Sequence, residues 1–281
     1  MRRAPAMKHV SNAELSAIDM SLGDRDREIL KLLRRFRFMR TAQIQRLFFR
    51  KDATNRAQLS STTRVLHRLE RDGLIAHLDR QVRPNRGGTY GLVWHLTTVG
   101  VRLLDLGKTN PKRFRPYEPS QLFLQHTLAV VDTYVQICDY IRYEKDYMEI
   151  KDLEIESEAV REYDKDGRTK RIWPDLFIKL RNDKYTYYWY IEVDRGTEGM
   201  PEVLKKCWRY FEYYRTDREQ REYGVFPVVM WIVPDEARKN LMKRTIKKAF
   251  REYSVGHEFL IITPDELSTY LIRGAKNSEL V

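Results

Sequence analysis

The sequence predicts an α+β or α/β protein of two domains, a winged helix-turn-helix followed by a mixed β-sheet flanked by helices. Three observations lead to this prediction. Apolar periodicity indicates helices and then two strands early in the chain, and strands interspersed with helices later. Residues 107–120 contain three prolines and no periodicity, which is typical of a linker. The basic charge is confined to the first 118 residues.

This charge asymmetry limits the kind of partner that the protein is expected to bind. Residues 1–118 contain 25 lysines and arginines against 11 acidic residues, a net charge of +14, whereas residues 119–281 have a net charge of −2. Such an excess indicates a polyanionic partner. A membrane surface is the competing polyanion, but the longest apolar stretch, residues 225–233, is far too short to span a bilayer. Double-stranded DNA is therefore favoured over a membrane.

The cysteines and the N-terminus indicate a cytoplasmic protein. Cys138 and Cys207 are the two cysteines, and both lie in segments with a helical pattern. Residues 1–3 are not followed by the apolar core of a secretion signal. A reducing cytoplasm fits this cysteine usage best.

The first part of the chain has the element order of a winged helix. Residues 1–20 are predicted to be a flexible basic arm, residues 21–106 the DNA-binding domain and residues 107–120 the linker. The predicted elements of the domain are helices that begin at Asp24 and Thr41, a helix at 59–72, strands at 74–79 and 90–97, and a final helix at 98–106. A glycine-rich turn joins the two strands as the wing.

The third helix and the wing carry the candidate DNA-binding residues. Hydroxyl groups suit phosphate contacts, and arginines suit base edges and the minor groove. The candidates are Ser61, Thr62, Arg64, His67 and Arg68 on the outer face of the helix, and Arg80, Arg83 and Arg86 in the wing. The alternative is a solvated helix and turn, or a protein contact, but the element order and the charge agree on DNA.

Residues 121–281 are predicted to form the second domain, a mixed sheet with flanking helices. The predicted elements are helices at 121–143, 201–214 and 235–253, strands at 148–160, 172–180, 185–193, 226–233 and 259–262, and a charged turn at 164–169. The strands at 172–180 and 185–193 are expected to be central and adjacent, as a hairpin.

The central hairpin carries three carboxylates. Glu192 and Asp194 lie on the same side of their strand because side chains alternate, and Asp175 approaches that face if the two strands are antiparallel. Clustered carboxylates suit Mg²⁺ or Mn²⁺, which can activate water for attack on a phosphodiester. The spacing leaves the alternative open, in which these carboxylates form ion pairs with basic neighbours, namely Arg171, Arg195 or Lys205.

The pattern Asp175-x(16)-Glu192-x-Asp194 resembles a variant of the PD-(D/E)XK nuclease core, and the resemblance implies a restriction-endonuclease-like fold. It implies that Asp175, after Pro174, and Glu192 hold the metal. Asp194 stands where the family usually has a lysine that orients or deprotonates the attacking water. Some relatives carry this lysine on the following helix, and Lys205 or Lys206 could serve here.

Further motifs are similar to the replication-relaxation family. Lys206 and Tyr210 share a helix face, which resembles the Gln-x(3)-Tyr element of RecB-like nucleases. The other matching motifs are Gln125-His126, Pro174-Asp175 and the stretch from Ile191 to Glu198. The resemblance covers about residues 24–235. It implies a protein of plasmids and mobile elements of Gram-positive bacteria, acting in replication initiation or DNA relaxation.

Two functions follow from these resemblances. The first is a metal-dependent nickase or endonuclease with the candidate catalytic residues Asp175, Glu192, Asp194, Lys206, Tyr210 and His126. The second is a non-catalytic regulator or replication initiator whose degenerate nuclease fold serves dimerisation or DNA clamping. Asp194 in place of lysine favours the second, whereas the retained acids and the lysine-bearing helix favour the first. Either function suits a homodimer.

Other groups have weaker functional signals. His126 is expected to be a core residue, on an inward helical stripe with Leu122, Ala129, Val130 and Thr133. The family resemblance implies a role in the active site as the alternative. Aromatic residues at 185–190 alternate across a strand, so about half are expected in the core, and exposed ones could stack on single-stranded DNA or supply a tyrosine nucleophile. A basic helix face, more often solvated than DNA-bound, comprises Lys243, Arg244, Lys247, Lys248 and Arg251.

Overall fold

The computed structural model describes residues 10–49, 54–78, 91–108, 118–143, 148–156, 158–253, 259–276 and 279–281. The chain divides into two compact units, Met1–Val131 and Asp132–Val281. The division falls within one long helix, Gln121–Tyr143. Residues 109–117 of the predicted linker lie outside the described residues.

The N-terminal unit combines helices with a small antiparallel sheet. Its described elements are α1 (Asn12–Ser21), α2 (Asp24–Phe36), β1 (Met39–Arg40), α3 (Thr41–Phe48), α4 (Asn55–Arg71), β2 (Ile75–His77), β3 (Val93–Leu96), α5 (Thr98–Leu104) and the first half of α6 (Gln121–Tyr143). The strand order is β1-β3-β2, with Met39 opposite Trp94 and Ile75 opposite Leu96. The helices and the last two strands follow the predicted order, and β1 is an addition.

The prediction of a flexible arm is wrong for residues 12–20, which belong to α1. Ser11 begins this helix with a capping box: its Oγ accepts from the Glu14 amide at 3.2 Å, and the Glu14 carboxylate accepts from the Ser11 amide at 2.7 Å. Leu15 is buried. The local motif Ser-x-x-Glu therefore favours a helix here, although the basic composition of the preceding residues predicted a flexible segment. Residues 1–9 of the predicted arm lie outside the described residues.

Two helices of this unit begin or end at other residues than predicted. Helix α4 begins at Asn55, four residues earlier than predicted, because the Thr54 hydroxyl accepts from the Ala57 amide at 3.3 Å. Helix α5 ends at Leu104 rather than at residue 106. This helix packs so closely on the preceding segment that a Cβ at Gly100 would lie 2.1 Å from the carbonyl oxygen of Leu74. Glycine is therefore required at this contact.

The C-terminal unit contains a five-stranded mixed sheet. Besides the second half of α6, its described elements are β4 (Glu149–Ile155), β5 (Arg161–Lys165), β6 (Arg168–Ile172), β7 (Leu176–Arg181), β8 (Thr186–Val193), α7 (Met200–Tyr214), α8 (Arg218–Tyr223), β9 (Val228–Ile232), α9 (Glu236–Ala249), β10 (Phe259–Ile262) and α10 (Leu267–Arg273). The strand order is β10-β9-β8-β7-β4. Strands β8, β9 and β10 are parallel, and β7 is antiparallel to β8 and β4.

The structure confirms that the predicted hairpin strands are adjacent and central in this sheet, with Leu176 opposite Ile191. The predicted bounds are wrong in one place. The segment 172–180 is not a single strand, because β6 ends at Ile172 and β7 begins at Leu176, with Trp173-Pro174-Asp175 between them. Proline lacks the amide hydrogen that continuous strand pairing needs.

The charged segment predicted as a turn at 164–169 lies within a separate two-stranded hairpin, β5–β6. Its turn is at Asp166-Gly167, which both have positive φ. The sequence did not predict these two strands because they are mainly polar and show no alternation of apolar and polar residues. Likewise β4 ends at Ile155 instead of 160, and the short helices α8 and α10 lack a clear apolar period.

Strand β8 is buried along its C-terminal half. Trp189, Tyr190, Ile191, Glu192 and Val193 are all at most 9% exposed, because helices and neighbouring strands cover both faces at the centre of a mixed sheet. At the other end of the strand Tyr185 is exposed. The aromatic segment is thus partly core, as predicted. Among the described residues no helix is both long and apolar enough to cross a membrane.

Candidate active site around Glu192

The sheet brings Asp175 and Glu192 to the same place. Glu192 is the next-to-last residue of β8, where it is 2% exposed and opposite Trp231 of β9. Because β7 runs antiparallel from Leu176, the residue before it lies beside the end of β8. The amide of Val193 donates to Asp175 Oδ2 at 2.7 Å, which fixes that carboxylate. The two acids are close enough to interact electrostatically.

Helix α7 supplies the two partners of Glu192. The Tyr210 hydroxyl donates to Glu192 Oε1 at 2.7 Å, and Lys206 Nζ donates to Glu192 Oε2 at 3.3 Å. Lys206 also donates to Glu198 Oε1 at 3.3 Å and lies 5.6 Å from the ring centre of Trp231. The predicted helix face formed by Lys206 and Tyr210 is confirmed. A lysine on the following helix therefore reaches the second acid of the motif.

Burial dominates the electrostatics of this group. Desolvation, with a smaller contribution from Asp175, raises the pKa of Glu192 to about 7, although Lys206 and the hydrogen bond from Tyr210 act to lower it. Burial by itself would lower the pKa of Lys206, but Glu192, Asp175 and Glu198 together raise it above its ordinary value. Burial and the neighbouring Glu192 raise the pKa of Tyr210 well above its ordinary value. Near neutral pH, Lys206 is charged, Tyr210 is a hydrogen-bond donor and Glu192 titrates.

Asp194 has a different partner. Its carboxylate accepts from Arg238 of α9, Nε to Oδ2 at 2.6 Å and Nη2 to Oδ1 at 3.2 Å. Arg238 also donates to the carbonyl oxygen of Glu198 at 2.7 Å. The Asp194 side chain is 1% exposed and that of Arg238 13%, so the ion pair is buried. This pair holds the segment between β8 and α7, which carries Glu198.

The alternative ion pairs expected for the three acids differ from those observed. Arg171 pairs with Glu162 at 2.6 Å, and Lys205 pairs with Glu202 at 3.6 Å. These two basic residues are therefore not the partners of the hairpin carboxylates, and that part of the alternative is wrong. Glu192 pairs with Lys206 of α7 and Asp194 pairs with Arg238 of α9, and sequence spacing alone does not place Arg238 at this site.

A small cleft of about 40 Å³ opens beside Glu192. It is lined by Ile172, Trp173, Glu192, Lys206, Arg209 and Tyr210. The Trp173 side chain is 49% exposed, and the guanidinium carbon of Arg209 lies 5.8 Å from its ring centre. Neither residue was a sequence candidate. The signals that could have found them are the position of Trp173 directly before Pro174-Asp175, and of Arg209 one helical turn after Lys206.

Asp175 and Glu192 could supply only some of the ligands that a metal ion needs. Among the residues that the structure describes, no group of three or more His, Cys, Asp or Glu side chains could hold a metal ion. Asp175 and Glu192 supply hard oxygen ligands, and Mg²⁺ commonly uses one or two carboxylates while water and substrate phosphates complete its shell. The donor set therefore fits Mg²⁺ or Mn²⁺ only as a two-carboxylate site of this kind.

The candidate DNA-binding residues of α4 differ in how far their side chains are buried. Arg64 and His67 are exposed, and His67 contacts Glu70 at 3.0 Å; Ser61 is half-buried. Thr62 is fully buried and its hydroxyl donates to the Gln58 carbonyl at 2.8 Å, so the prediction that it faces outward is wrong. It lies one turn before Leu66 on the core stripe of the helix.

Arg68 pairs with Asp26 of α2 at 2.6 Å, so it links two helices of the unit. The wing candidates Arg80, Arg83 and Arg86 lie outside the described residues. His126 is half-buried on α6 and belongs to the N-terminal unit, whereas Asp175 and Glu192 belong to the C-terminal unit. The predicted inward stripe is confirmed for Ala129, Val130 and Thr133, which are buried, and wrong for Leu122, which is 60% exposed.

Comparison with known proteins identifies the family. A family model described as replication-relaxation matches residues 30–229, which is well over half of the chain. The matched region contains α4 and the acids, lysine and tyrosine of the cleft, and it ends before α9. Searches of curated proteins and of solved structures find no significant match. The chain belongs to the replication-relaxation family.

Proposed function

We propose that this protein is a sequence-specific, metal-dependent DNA nickase that acts in replication initiation or DNA relaxation. Membership of the replication-relaxation family indicates a role in the replication or relaxation of plasmids or other mobile elements, and DNA is the partner that such a role requires. In this proposal the N-terminal unit is a winged helix that selects the DNA site, and the cleft at Glu192 performs the cleavage.

One feature of the cleft supports nicking most directly: Lys206 lies 3.3 Å from Glu192, where it can replace the lysine missing from the hairpin motif. A positioned cation offsets the charge that develops on a phosphate during cleavage. Asp175 and Glu192 would hold Mg²⁺ or Mn²⁺, which activates water and neutralises phosphate charge. Tyr210 orients Glu192 by its hydrogen bond, and Val193 orients Asp175.

The test is nicking of supercoiled DNA that carries the replication origin of the element encoding the protein. We expect nicked circles with Mg²⁺ or Mn²⁺ and none with EDTA, and we expect Asp175→Asn to lose the activity while it binds DNA. The matched control is Asp183→Asn, which changes an exposed carboxylate of the same unit. Equal nicking by wild type and Asp175→Asn would show that the activity comes from another site or a contaminant.

DNA recognition is proposed for α4 together with the segment between β2 and β3. Arg64 is exposed on α4, and the net charge of +14 in residues 1–118 supplies long-range attraction to phosphates. Arg68 is a poorer probe because it also pairs with Asp26, so its removal would alter the fold as well as the surface.

Replacement of Arg64 by alanine is expected to weaken binding to the recognition site, because a bidentate arginine–guanine contact contributes about 1–3 kcal/mol. Fluorescence anisotropy with specific and scrambled duplexes would measure the change. The control is Lys31→Ala, a cation on α2 whose partner is its helical neighbour Glu28. A loss that is equal on both duplexes would assign Arg64 to a phosphate contact, and no loss on either would exclude it from the interface.

The non-catalytic regulator is the second candidate. It is favoured by one observation: both carboxylate oxygens of Glu192 already accept from protein donors, Tyr210 and Lys206. In that case Lys206 neutralises the acid permanently instead of assisting cleavage. Specific DNA binding without nicking in Mg²⁺ or Mn²⁺, together with no Mn²⁺ binding by the protein, would favour this function.

A further inference from the structure

Helix α9 and the turn that follows it carry a basic surface, which we call the α9 stripe. It consists of Lys243, Arg244, Lys247, Lys248 and Arg251. The opposite side of the helix packs into the core through Met242 and Ile246, which are fully buried. The four stripe residues within the helix are spaced by one, three or four positions, so they occupy one outward arc, and Arg251 lies in the turn directly after the helix. Arg244, Lys247, Lys248 and Arg251 are exposed and Lys243 is half-buried.

The stripe differs from the first turn of the same helix. There, Arg238 pairs with Asp194 and Lys239 pairs with Glu266. Within the part of the chain that the structure describes, none of the five stripe residues has a hydrogen bond, ion pair or ring contact. The chain from residue 119 onward has a net charge of −2, so acids to pair them are present in the sequence but are placed elsewhere.

Helix stability does not explain this arrangement. Like charges four residues apart destabilise a helix, and α9 contains two such pairs of the stripe, Lys243/Lys247 and Arg244/Lys248. The helix dipole favours cations only in the last turn, so it compensates Lys247 and Lys248 but acts little on Lys243 and Arg244. An external anion would remove the repulsion along the whole stripe.

The stripe lies on a helix that is tied to the cleft. At the start of α9, Arg238 contacts Asp194 and the Glu198 carbonyl, and Glu198 accepts from Lys206 in the cleft. Beyond its end, Phe250 stacks on Trp208 of α7 with ring centres 4.2 Å apart. The 14 residues of α9 span about 21 Å at 1.5 Å per residue. An extended polyanion on the stripe would therefore run beside the helix that lines the cleft.

We propose that the α9 stripe binds the sugar-phosphate backbone of duplex DNA and holds it beside the cleft. Four cations on one arc of the helix, with Arg251 just beyond its end, are complementary to a row of phosphates. A membrane surface fits less well, because an interfacial helix inserts an apolar face into lipid and the apolar face of α9 is already buried in the protein. The inference rests on the proposed function only for the identity of the polyanion, and it does not require cleavage.

The experiment compares two variants of the full-length protein with the same change in net charge. The test variant is Arg244→Gln with Lys247→Gln and Lys248→Gln, in which glutamine keeps helix propensity and length. The control variant is Lys165→Gln with Lys170→Gln and Arg171→Gln, which removes three cations of the β5–β6 hairpin that already have protein partners, Glu212 and Glu162. Circular dichroism would establish that both variants fold.

Binding of a fluorescent duplex is measured by anisotropy over a range of salt concentrations, in EDTA. For the test variant we expect the slope of log K against log salt to become less steep by about 2.7, because each lost phosphate contact removes about 0.9. The control variant should keep the wild-type slope. An unchanged slope in the test variant, or an equal change in the control, would overturn the proposal.

Two further arms separate this inference from other outcomes. Loss of binding to anionic phosphatidylserine vesicles without a change on DNA would assign the stripe to a lipid surface and overturn the proposal. Because binding is measured in EDTA, a reduced slope in a protein that never nicks supports the stripe and contradicts the nickase. Normal nicking and an unchanged slope in the test variant would contradict the stripe alone.

Discussion

Glu192→Gln is expected to abolish nicking and to leave DNA affinity nearly unchanged. Glutamine retains the volume of the side chain and an oxygen that accepts from Tyr210, but it lacks the charge that a divalent cation requires. Plasmid nicking and duplex anisotropy on the same preparations would measure the two effects. Nicking at the wild-type rate by Glu192→Gln would remove Glu192 from the mechanism.

The same residue sets the pH dependence of nicking. Burial raises the pKa of Glu192 to about 7, so the carboxylate that binds metal is fully formed only above that pH. The nicking rate is therefore expected to fall as the pH is lowered through about 7. Metal and proton compete for the carboxylate, so a higher Mg²⁺ concentration should move the midpoint to lower pH. A midpoint that does not respond to Mg²⁺ would assign the titration to another group.

Lys206→Met offers a graded comparison at this site. Methionine keeps the length of the side chain but removes the cation that contacts Glu192, so we expect a loss of about 10²–10³ in rate, as for removal of one transition-state donor. The neighbouring Lys205→Met is the matched control, because Lys205 is exposed and pairs with Glu202. If both variants nick equally fast, Lys206 does not replace the missing motif lysine.

Asp194→Asn is expected to have the largest effect on stability. The substitution leaves the Arg238 guanidinium, whose side chain is 13% exposed, without its charged partner. Removal of one member of a buried ion pair costs about 3–5 kcal/mol. Urea unfolding would measure the loss. The control is Glu236→Gln, which disturbs an ion pair of the same helix at a carboxylate that is 64% exposed, and there we expect about 0–1 kcal/mol.

Asp194→Lys, which would restore the lysine of the motif, is expected to be worse than Asp194→Asn. It places a second cation against Arg238 in a buried environment, where like charges repel and neither is solvated. The variant should unfold at lower urea concentration than Asp194→Asn and should not gain nicking. A stable Asp194→Lys protein with increased activity would contradict both the importance of the ion pair and the assignment of the lysine function to Lys206.

Local patterns accounted for much of the architecture and for the centre of the site. The order of the long helices and the apolar strands follows from periodicity, and the adjacency of β7 and β8 follows from their short connection. Lys206 and Tyr210 were paired correctly because four residues make about one helical turn. Asp175 was placed beside Glu192 because an antiparallel hairpin relates its strands through a single register.

The elements and residues that local patterns did not predict are either short or polar. The β5–β6 hairpin is almost wholly polar, so it has no alternation to detect. Helix α1 was hidden by its basic surroundings despite a capping box at Ser11 and Glu14. Thr62 was assigned to the outer face by its hydroxyl, yet it lies on the core stripe with Leu66 and satisfies its hydroxyl on its own helix.

The sequence by itself determined the candidates for the proposed chemistry, namely the acids of one hairpin and the lysine and tyrosine of one helix. It also determined the segregation of basic charge. The tertiary structure alone decided their partners. Asp194 meets Arg238 across 44 positions, and Trp173 and Arg209 come together at one cleft. It also decided that, within the described part of the chain, the side chains of the α9 stripe have no protein partner, whereas Arg238 and Lys239 of the same helix are paired. Ion pairs and clefts depend on which elements pack together, whereas helical and strand periodicity is a property of each segment alone.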